Sequence, residues 1–215
     1  MFYLDPNHFY RVRELDALPW LIHGFGTRYS RVPDALATVK QIHSATCVFA
    51  EGRTGVLAEA DALIESVPGH AIAVKTADCI PVLLADERHR VVAAIHAGWR
   101  GTAAHIVSGA IRAMTERFDT EPADLHAAIG PGIGACCYEV GPEVMVQFGG
   151  QGRGHLDLEA ENRRQLENSG VTPERIYASH LCTMCGTEHF HSFRRDRESA
   201  GRMYSFIGVT AAVVD

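Results

Sequence analysis

The chain is short of several things, and each shortage excludes a class of protein. No apolar run in its 215 residues approaches the roughly 18 that a membrane-spanning helix needs. The N-terminal stretch MFYLDPNHFYRVREL has no basic lead-in followed by an apolar segment, so a cytoplasmic location is expected rather than secretion. Low-complexity tracts, internal repeats and linkers are missing, and one domain over residues 1–215 is expected. There is no excess of positive charge: a formal net charge of −6 gives no general attraction to nucleic acid or to an anionic membrane. Lysine is nearly absent, with Lys40 and Lys75 the only two among 20 basic residues. Any anion bound by this protein must be gripped by a few local cations.

What remains is ordinary for a globular chain. A 47% hydrophobic share is enough to bury a core without disulfides or structural metal. The six cysteines, at positions 47, 79, 136, 137, 182 and 185, do not look like a secreted disulfide framework in a chain this long. Reduced thiols are expected, free to bind metal or act as nucleophiles. Short apolar, β-branched runs bounded by Gly, Pro and Asp predict strands at Trp20–Phe25, Thr46–Ala50, Ala60–Ile64, Ala71–Val74, Ile80–Ala85, Val91–Ile95, Leu125–Ile129, Arg175–Ser179 and Ser205–Val214. Helices are predicted over Thr102–Phe118 and Leu158–Asn168, with a shorter one over Pro142–Phe148. Many strands and few helices, in clustered order, indicate an α+β fold with a mixed sheet and helices packed outside.

The most informative stretch is KTADCIPVLLADERHRVVAAIHAGWRG, residues 75–101, in which two apolar runs flank a polar turn. If the runs pair as a hairpin centred between Glu87 and Arg88, Cys79 lies directly opposite His96, their Cβ atoms about 4.5–5.5 Å apart on one face. A thiolate at about 2.3 Å and an imidazole nitrogen at about 2.0–2.1 Å from one ion bridge that gap. His43, in VKQIHSA, is the candidate third ligand. Two His and one Cys suit zinc with a position left open for water or substrate, and copper accepts the same donors. Taken singly, each residue has a plainer reading: a Cys in an apolar run is commonly a buried hydrophobe, and a lone His a hydrogen-bonded structural residue.

The cations add to this pattern. Lys40 lies three residues before His43 and Lys75 four before Cys79, and lysine is a compact phosphate-binding charge. Arg28, Arg100 and the pair Arg194–Arg195 are further candidates, against the alternative that arginines are solvated surface charges. Asp78, next to Cys79, reads equally well as a general base or as a strand-end hydrogen-bond acceptor. The glycines at 130, 132 and 134 lack the spacing of a dinucleotide or P-loop fingerprint and read as a tight turn bringing backbone near the site. One Cys-x-x-Cys, Cys182 and Cys185, has His189 and His191 nearby, which allows a second zinc site from those four residues.

The motifs HGFGTR, KQIHSA, EADALI, KTADCIPVLL, AAIHAGWRGT, IGPGIGACCYEVG, CTMC and HSFRRDRESAGRM, in this order, resemble the laccase-domain family over nearly the whole chain. Its members have been labelled polyphenol oxidases, purine nucleoside phosphorylases and peptidoglycan-editing factors. The resemblance implies a mononuclear metal site at His43, Cys79 and His96. It also implies an α–β–β–α sandwich like the catalytic domain of cytotoxic necrotizing factor. Gln41, within KQIH, joins Arg28, Lys40, Lys75, Arg100 and Arg194 as an expected substrate or phosphate contact.

This sequence departs from the family pattern in two places. Only 11 residues separate Arg28 from Lys40, where relatives carry a longer segment, and His189 and His191 stand where relatives are usually aromatic or apolar. The leading function implied is phosphorolysis of purine nucleosides with accompanying adenosine deamination, at a zinc or copper site. The alternative is hydrolysis of a muropeptide precursor, and the expected partner is then a nucleotide-sugar. Copper-dependent phenol oxidation is expected only as a side activity, because the one His-x-His pair, His189–His191, cannot supply a multicopper cluster. A metal-free Cys79–His96 thiol mechanism and a non-catalytic binding module complete the alternatives. A monomer or homodimer acting on small molecules is expected.

Overall fold

The computed structural model describes residues 1–211. Two mixed sheets stacked face to face form the centre of the fold. The first has seven strands: β1 (Phe2–Leu4), β2 (Phe9–Val12), β3 (Leu21–Gly26), β4 (Ala37–Lys40), β6 (Gly55–Glu59), β8 (Ala71–Thr76) and β15 (Met203–Val209), in the spatial order β1-β2-β3-β15-β8-β4-β6. The second has six: β5 (Cys47–Phe49), β7 (Ala62–Glu65), β9 (Ile80–Asp86), β10 (Val91–Ala97), β11 (Leu125–Ile129) and β14 (Ile176–Ala178), ordered β14-β11-β9-β10-β7-β5. A small ribbon pairs β12 (Glu139–Val140) with β13 (Gly154–His155). Most pairings are antiparallel. Strand β4 runs parallel to β6 and β8, β5 to β7, and β11 to β14.

Strands β9 and β10 are buried at every position, because both faces of the second sheet are covered. One face meets the first sheet through Leu63, Leu83, Ala85, Val92 and Ala94, packed with Phe25, Ile72, Val74 and Ile207. The other meets helices: Ile64, Val82, Leu84 and Ile95 pack with Ile106, Ala110, Ile111 and Met114 of α3 (Ile106–Phe118) and Leu158 and Leu166 of α5 (Leu158–Asn168). Alternate residues of β9 thus serve two different cores, as a period of two requires. The short helices are α1 (Arg13–Asp16), α2 (Trp99–Ala103), α4 (Pro142–Met145) and α6 (Phe193–Asp196).

The α+β class with mixed sheets agrees with expectation, whereas the second helical layer of an α–β–β–α sandwich is not present among the described residues. Helix α1 puts Leu15 into the core between the sheets. A small cluster of Phe9, Ala73, Phe206 and Leu36 occupies the opposite side of the first sheet, with Leu36 at the end of the loop before β4. The helix predicted over Thr102–Phe118 is two helices, broken at Ala104 and His105, the latter in the left-handed region at φ 58°. Pro142–Phe148 is α4 followed by a 3₁₀ turn, and Leu158–Asn168 is helical over that whole span. The strand predicted over Ser205–Val214 begins earlier, at Met203, and ends at Val209; its part beyond residue 211 lies outside the described residues. No helix among the described residues is long and apolar enough to cross a membrane.

The hairpin register differs from the sequence expectation. Val91 pairs with Asp86 and His96 with Pro81, so the turn is centred between Arg88 and His89. The Asp86 carboxylate causes this by accepting from the Arg88 and His89 amides at 2.9 and 3.0 Å. Arg90 closes the loop in the left-handed region at φ 54°. His96 is therefore opposite Pro81 rather than Cys79. The shift is by two residues, which preserves the face of the sheet.

Candidate metal centre and pocket

His43, Cys79 and His96 each offer a ligand atom within 4.8 Å of the others. Three segments converge to do this. His96 stands near the end of β10, Cys79 immediately before β9, and His43 in the loop after β4, held at φ 59°. The imidazole rings of His43 and His96 meet edge to face at 4.9 Å.

One carboxylate organises the whole group. Asp61, fully buried just before β7, accepts from the backbone amides of His43 at 3.0 Å and Ser44 at 2.6 Å, and from the Ser44 hydroxyl at 2.7 Å. It thereby holds the His43 loop in its strained conformation. Its Oδ1 also lies 2.8 Å from His96 Nδ1, which commits that nitrogen and leaves Nε2 for the site. Asp61 was not singled out in the sequence. The signal was there: an acid inside the apolar run EADALI is out of place unless it is paired.

The charges follow from these contacts. Burial resists ionisation of the Cys79 thiol, but hydrogen bonds from His43 and His96 bring it down to about 6. Burial likewise opposes the His96 cation, yet Asp61 and Cys79 raise it to about 9. Desolvation pushes the Asp61 carboxyl up, and His96 and Ser44 more than offset this, leaving it at about 2. The centre is poised to present a thiolate. A Cβ on Gly98 would sit 3.0 Å from Cys79 Sγ and 3.1 Å from His43 Nδ1, so a glycine there leaves room between the donors. Two imidazoles and a thiolate around such a space fit zinc, and copper accepts the same set.

The centre opens into a cavity of about 670 Å³, within the range of small-molecule sites. Lys40, Gln41, Lys75, Asp78, Arg100 and Arg194 line it, as the sequence suggested, and so do Arg197 and Arg202, which the sequence did not single out. Tyr138, Phe193 and Ile133 supply apolar surface. Lys40 pairs with Glu59 at 2.7 Å, and Gln41 is tied to the backbone of Lys75 by bonds of 2.7 and 2.8 Å. Lys75 lies over the Tyr204 ring and Arg100 over Trp99; neither has a carboxylate partner among the described residues. Asp78, the one carboxylate on the wall, is held at φ 89° with both oxygens engaged. The Thr183 hydroxyl and the Arg194 amide each donate to it at 2.6 Å.

Arg28 is placed elsewhere. It is exposed outside the cavity lining, its guanidinium donating to the Thr187 carbonyl at 2.9 Å. Arg195 is a structural residue, ion-paired with Asp196 and donating to the carbonyls of Thr183, Met184 and Phe190. The glycine turn does bring backbone to the site, since the Ile133 amide donates to the Asp78 carbonyl at 2.8 Å. The second ligand set differs from the one the sequence suggested. Cys182 and Cys185 gather with Cys136 and Cys137, while His189 packs against Tyr10 and Phe190 and His191 against Gly201.

Comparison with known proteins bears on this geometry. A protein of Deinococcus radiodurans named purine nucleoside phosphorylase is 39% identical over 187 residues, covering 82% of this chain and 71% of that one. A protein of an unknown prokaryotic organism named adenosine deaminase RL5 is 36% identical over 161 residues, covering 68% of this chain and 61% of its own. The crystal structure of YlmD from Geobacillus stearothermophilus superposes with a TM-score of 0.90 at 26% identity, covering 97% of this chain and 98% of that one. The family described as multi-copper polyphenol oxidoreductase laccase matches residues 26–210, and the chain belongs to that family.

Proposed function

We propose that this protein is a metal-dependent purine nucleoside phosphorylase that also deaminates adenosine. The observation that carries the reading is a thiolate and two imidazoles opening into a cavity walled by cations and aromatic rings, whose single carboxylate is already engaged. The relatives named purine nucleoside phosphorylase and adenosine deaminase support it.

Phosphorolysis needs a phosphate dianion beside the ribose C1′ and a departing purine. Lys75 and Arg100 hold the phosphate; each charge-assisted contact of this kind contributes about 1.5–3 kcal/mol. Tyr138 and Phe193 offer flat apolar surface for the purine. Asp78, anchored by the Thr183 hydroxyl and the Arg194 amide, acts as a clamp that ties two loops to the cavity wall. His43, Cys79 and His96 would hold zinc, which would supply Lewis acidity that brings the pKa of water toward about 7, as attack at C6 of adenine requires. Asp61, at His96 Nδ1, keeps the ring oriented with Nε2 free for the site.

The test is base release from inosine and adenosine by zinc-replete protein, with and without phosphate. Phosphate-dependent hypoxanthine and adenine, lost in Cys79→Ala together with the metal, are expected. Inosine formed from adenosine with no base released would leave only the deaminase. No turnover by protein carrying a full complement of metal at this centre would overturn the reading.

A further inference from the structure

We propose that Cys136, Cys137, Cys182 and Cys185 form a second, structural zinc site, a closed tetrathiolate that staples two loops into the cavity wall. It is independent of the reaction assigned above. All four sulfur atoms lie within 4.8 Å of one another. The sulfur separations are 3.6 Å for Cys136–Cys137, 3.7 Å for Cys136–Cys185 and 3.4 Å for Cys137–Cys185. A tetrahedron with zinc–sulfur bonds of about 2.3 Å has edges of about 3.8 Å, so the thiols already stand close to the spacing of one ion's ligands. A disulfide would require about 2.05 Å.

The surroundings are built for this gathering. Gly134 has no side chain to obstruct it: a Cβ there would lie 3.3 Å from both Cys136 Sγ and Cys182 Cβ. Its amide donates to Cys182 Sγ at 3.3 Å, a hydrogen bond that favours the thiolate. The segments are also clipped through their backbones. Gly132 bridges to Cys182, and the Thr183 amide donates to the Gly132 carbonyl at 2.9 Å. Four thiolates select a soft, tetrahedral ion and leave no position for substrate, which is the mark of a structural site. Binding replaces the thiol protons, which pass to solvent; no oxidant or reductant is involved.

The consequence lies at the cavity. Tyr138 follows Cys137 directly, and Arg194, over the Tyr138 ring at 5.1 Å, follows the Cys182–Cys185 loop. The Thr183 hydroxyl, inside that loop, donates to Asp78. The staple therefore fixes the wall that faces the first metal centre.

The experiment counts metal in the Cys79→Ser variant, which lacks the first centre. One zinc per chain is expected by elemental analysis, with none left in Cys79→Ser/Cys185→Ser. Cobalt(II) replacing that zinc is expected to give intense thiolate charge-transfer absorption and tetrahedral ligand-field bands, both lost with Cys136→Ser or Cys185→Ser. Cys136 and Cys185 are solvent-exposed, so these changes spare the fold. Hydrogen exchange is expected to rise in residues 130–138 and 181–194 on zinc removal, with β9 and β10 unaffected. Folded Cys79→Ser that binds neither zinc nor cobalt would overturn the proposal, as would bound metal indifferent to Cys136→Ser and Cys185→Ser.

Discussion

Two buried residues show how single side chains set the behaviour of this protein. Asp61 connects His96 to the loop that carries His43, and its loss removes both services at once. Asp61→Asn keeps the shape but offers neither the charge nor the second acceptor oxygen. Zinc affinity measured by chelator competition is expected to fall about 10–100-fold, as is usual when an outer partner of a ligating His is changed. His23 works through stability. It is fully buried, and its Nε2 accepts from the Val12 amide at 2.9 Å, which only the neutral ring can do. Burial pushes it down to about 4, and the neighbouring Arg11 adds to this while Asp16 opposes it. A depressed His contributes stability that is complete above about 6.5 and is lost as pH falls toward 4, a total of about 3 kcal/mol. Urea denaturation at pH 7.5 and pH 5 is expected to show this loss in the parent and a shallower one in His23→Gln, whose amide oxygen can accept from Val12 at either pH.

At the scale of elements, the three glycines of IGPGIG act as spacers that let one loop lie against the sheets. A Cβ on Gly130, just after β11, would fall 2.1 Å from the Phe25 ring of β3, and one on Gly132 2.3 Å from Ile80. Gly130→Ala is expected to destabilise the fold by about 1–3 kcal/mol in denaturant unfolding, because the ring it meets is fully buried. Such spacing cannot be read in one dimension, and the same division runs through the other elements. Helix α5 was legible from the charges of its solvated face, and the structure adds an Asp157 cap that accepts from the Ala160 amide at 2.9 Å. The break before α3 was not, since His105 carries no signal of a left-handed residue. Strands β1, β2, β4 and β6 were missed: they are short, β1 is at best half-buried and β6 is largely exposed, so neither length nor alternation announces them. Cys79 and His96 could be grouped from strand pairing even though the turn proved one residue off centre, because the resulting shift of two in the pairing preserves the face; His43 was legible only as a further donor in its own segment. Arg197 and Arg202 could not, as their place at the cavity depends on the path of the chain after Asp196.

For the molecule as a whole, charge is sorted rather than balanced. A chain with a net charge of −6 keeps a cavity lined by Lys40, Lys75, Arg100, Arg194, Arg197 and Arg202 against the single carboxylate of Asp78. Anion binding there is local and should survive moderate salt better than long-range steering, which is screened beyond about 8–10 Å. Lys75→Gln and Arg100→Gln are each expected to raise the KM for phosphate about tenfold or more, with a smaller change for the nucleoside, in steady-state kinetics varying each substrate in turn. Equal losses for both substrates would place these cations outside the phosphate subsite.

The scarcity of lysine also gives this chain an unusual chemical address. Both of its ε-amines, on Lys40 and Lys75, line one cavity, and every other basic side chain except histidine is a guanidinium. Among the side chains of this sequence, an amine-acylating reagent therefore meets only the two lysines of the cavity. A fluorophore delivered this way lands beside the candidate metal centre without an engineered handle, and enzymatic lysine acylation would neutralise charge at that cavity alone.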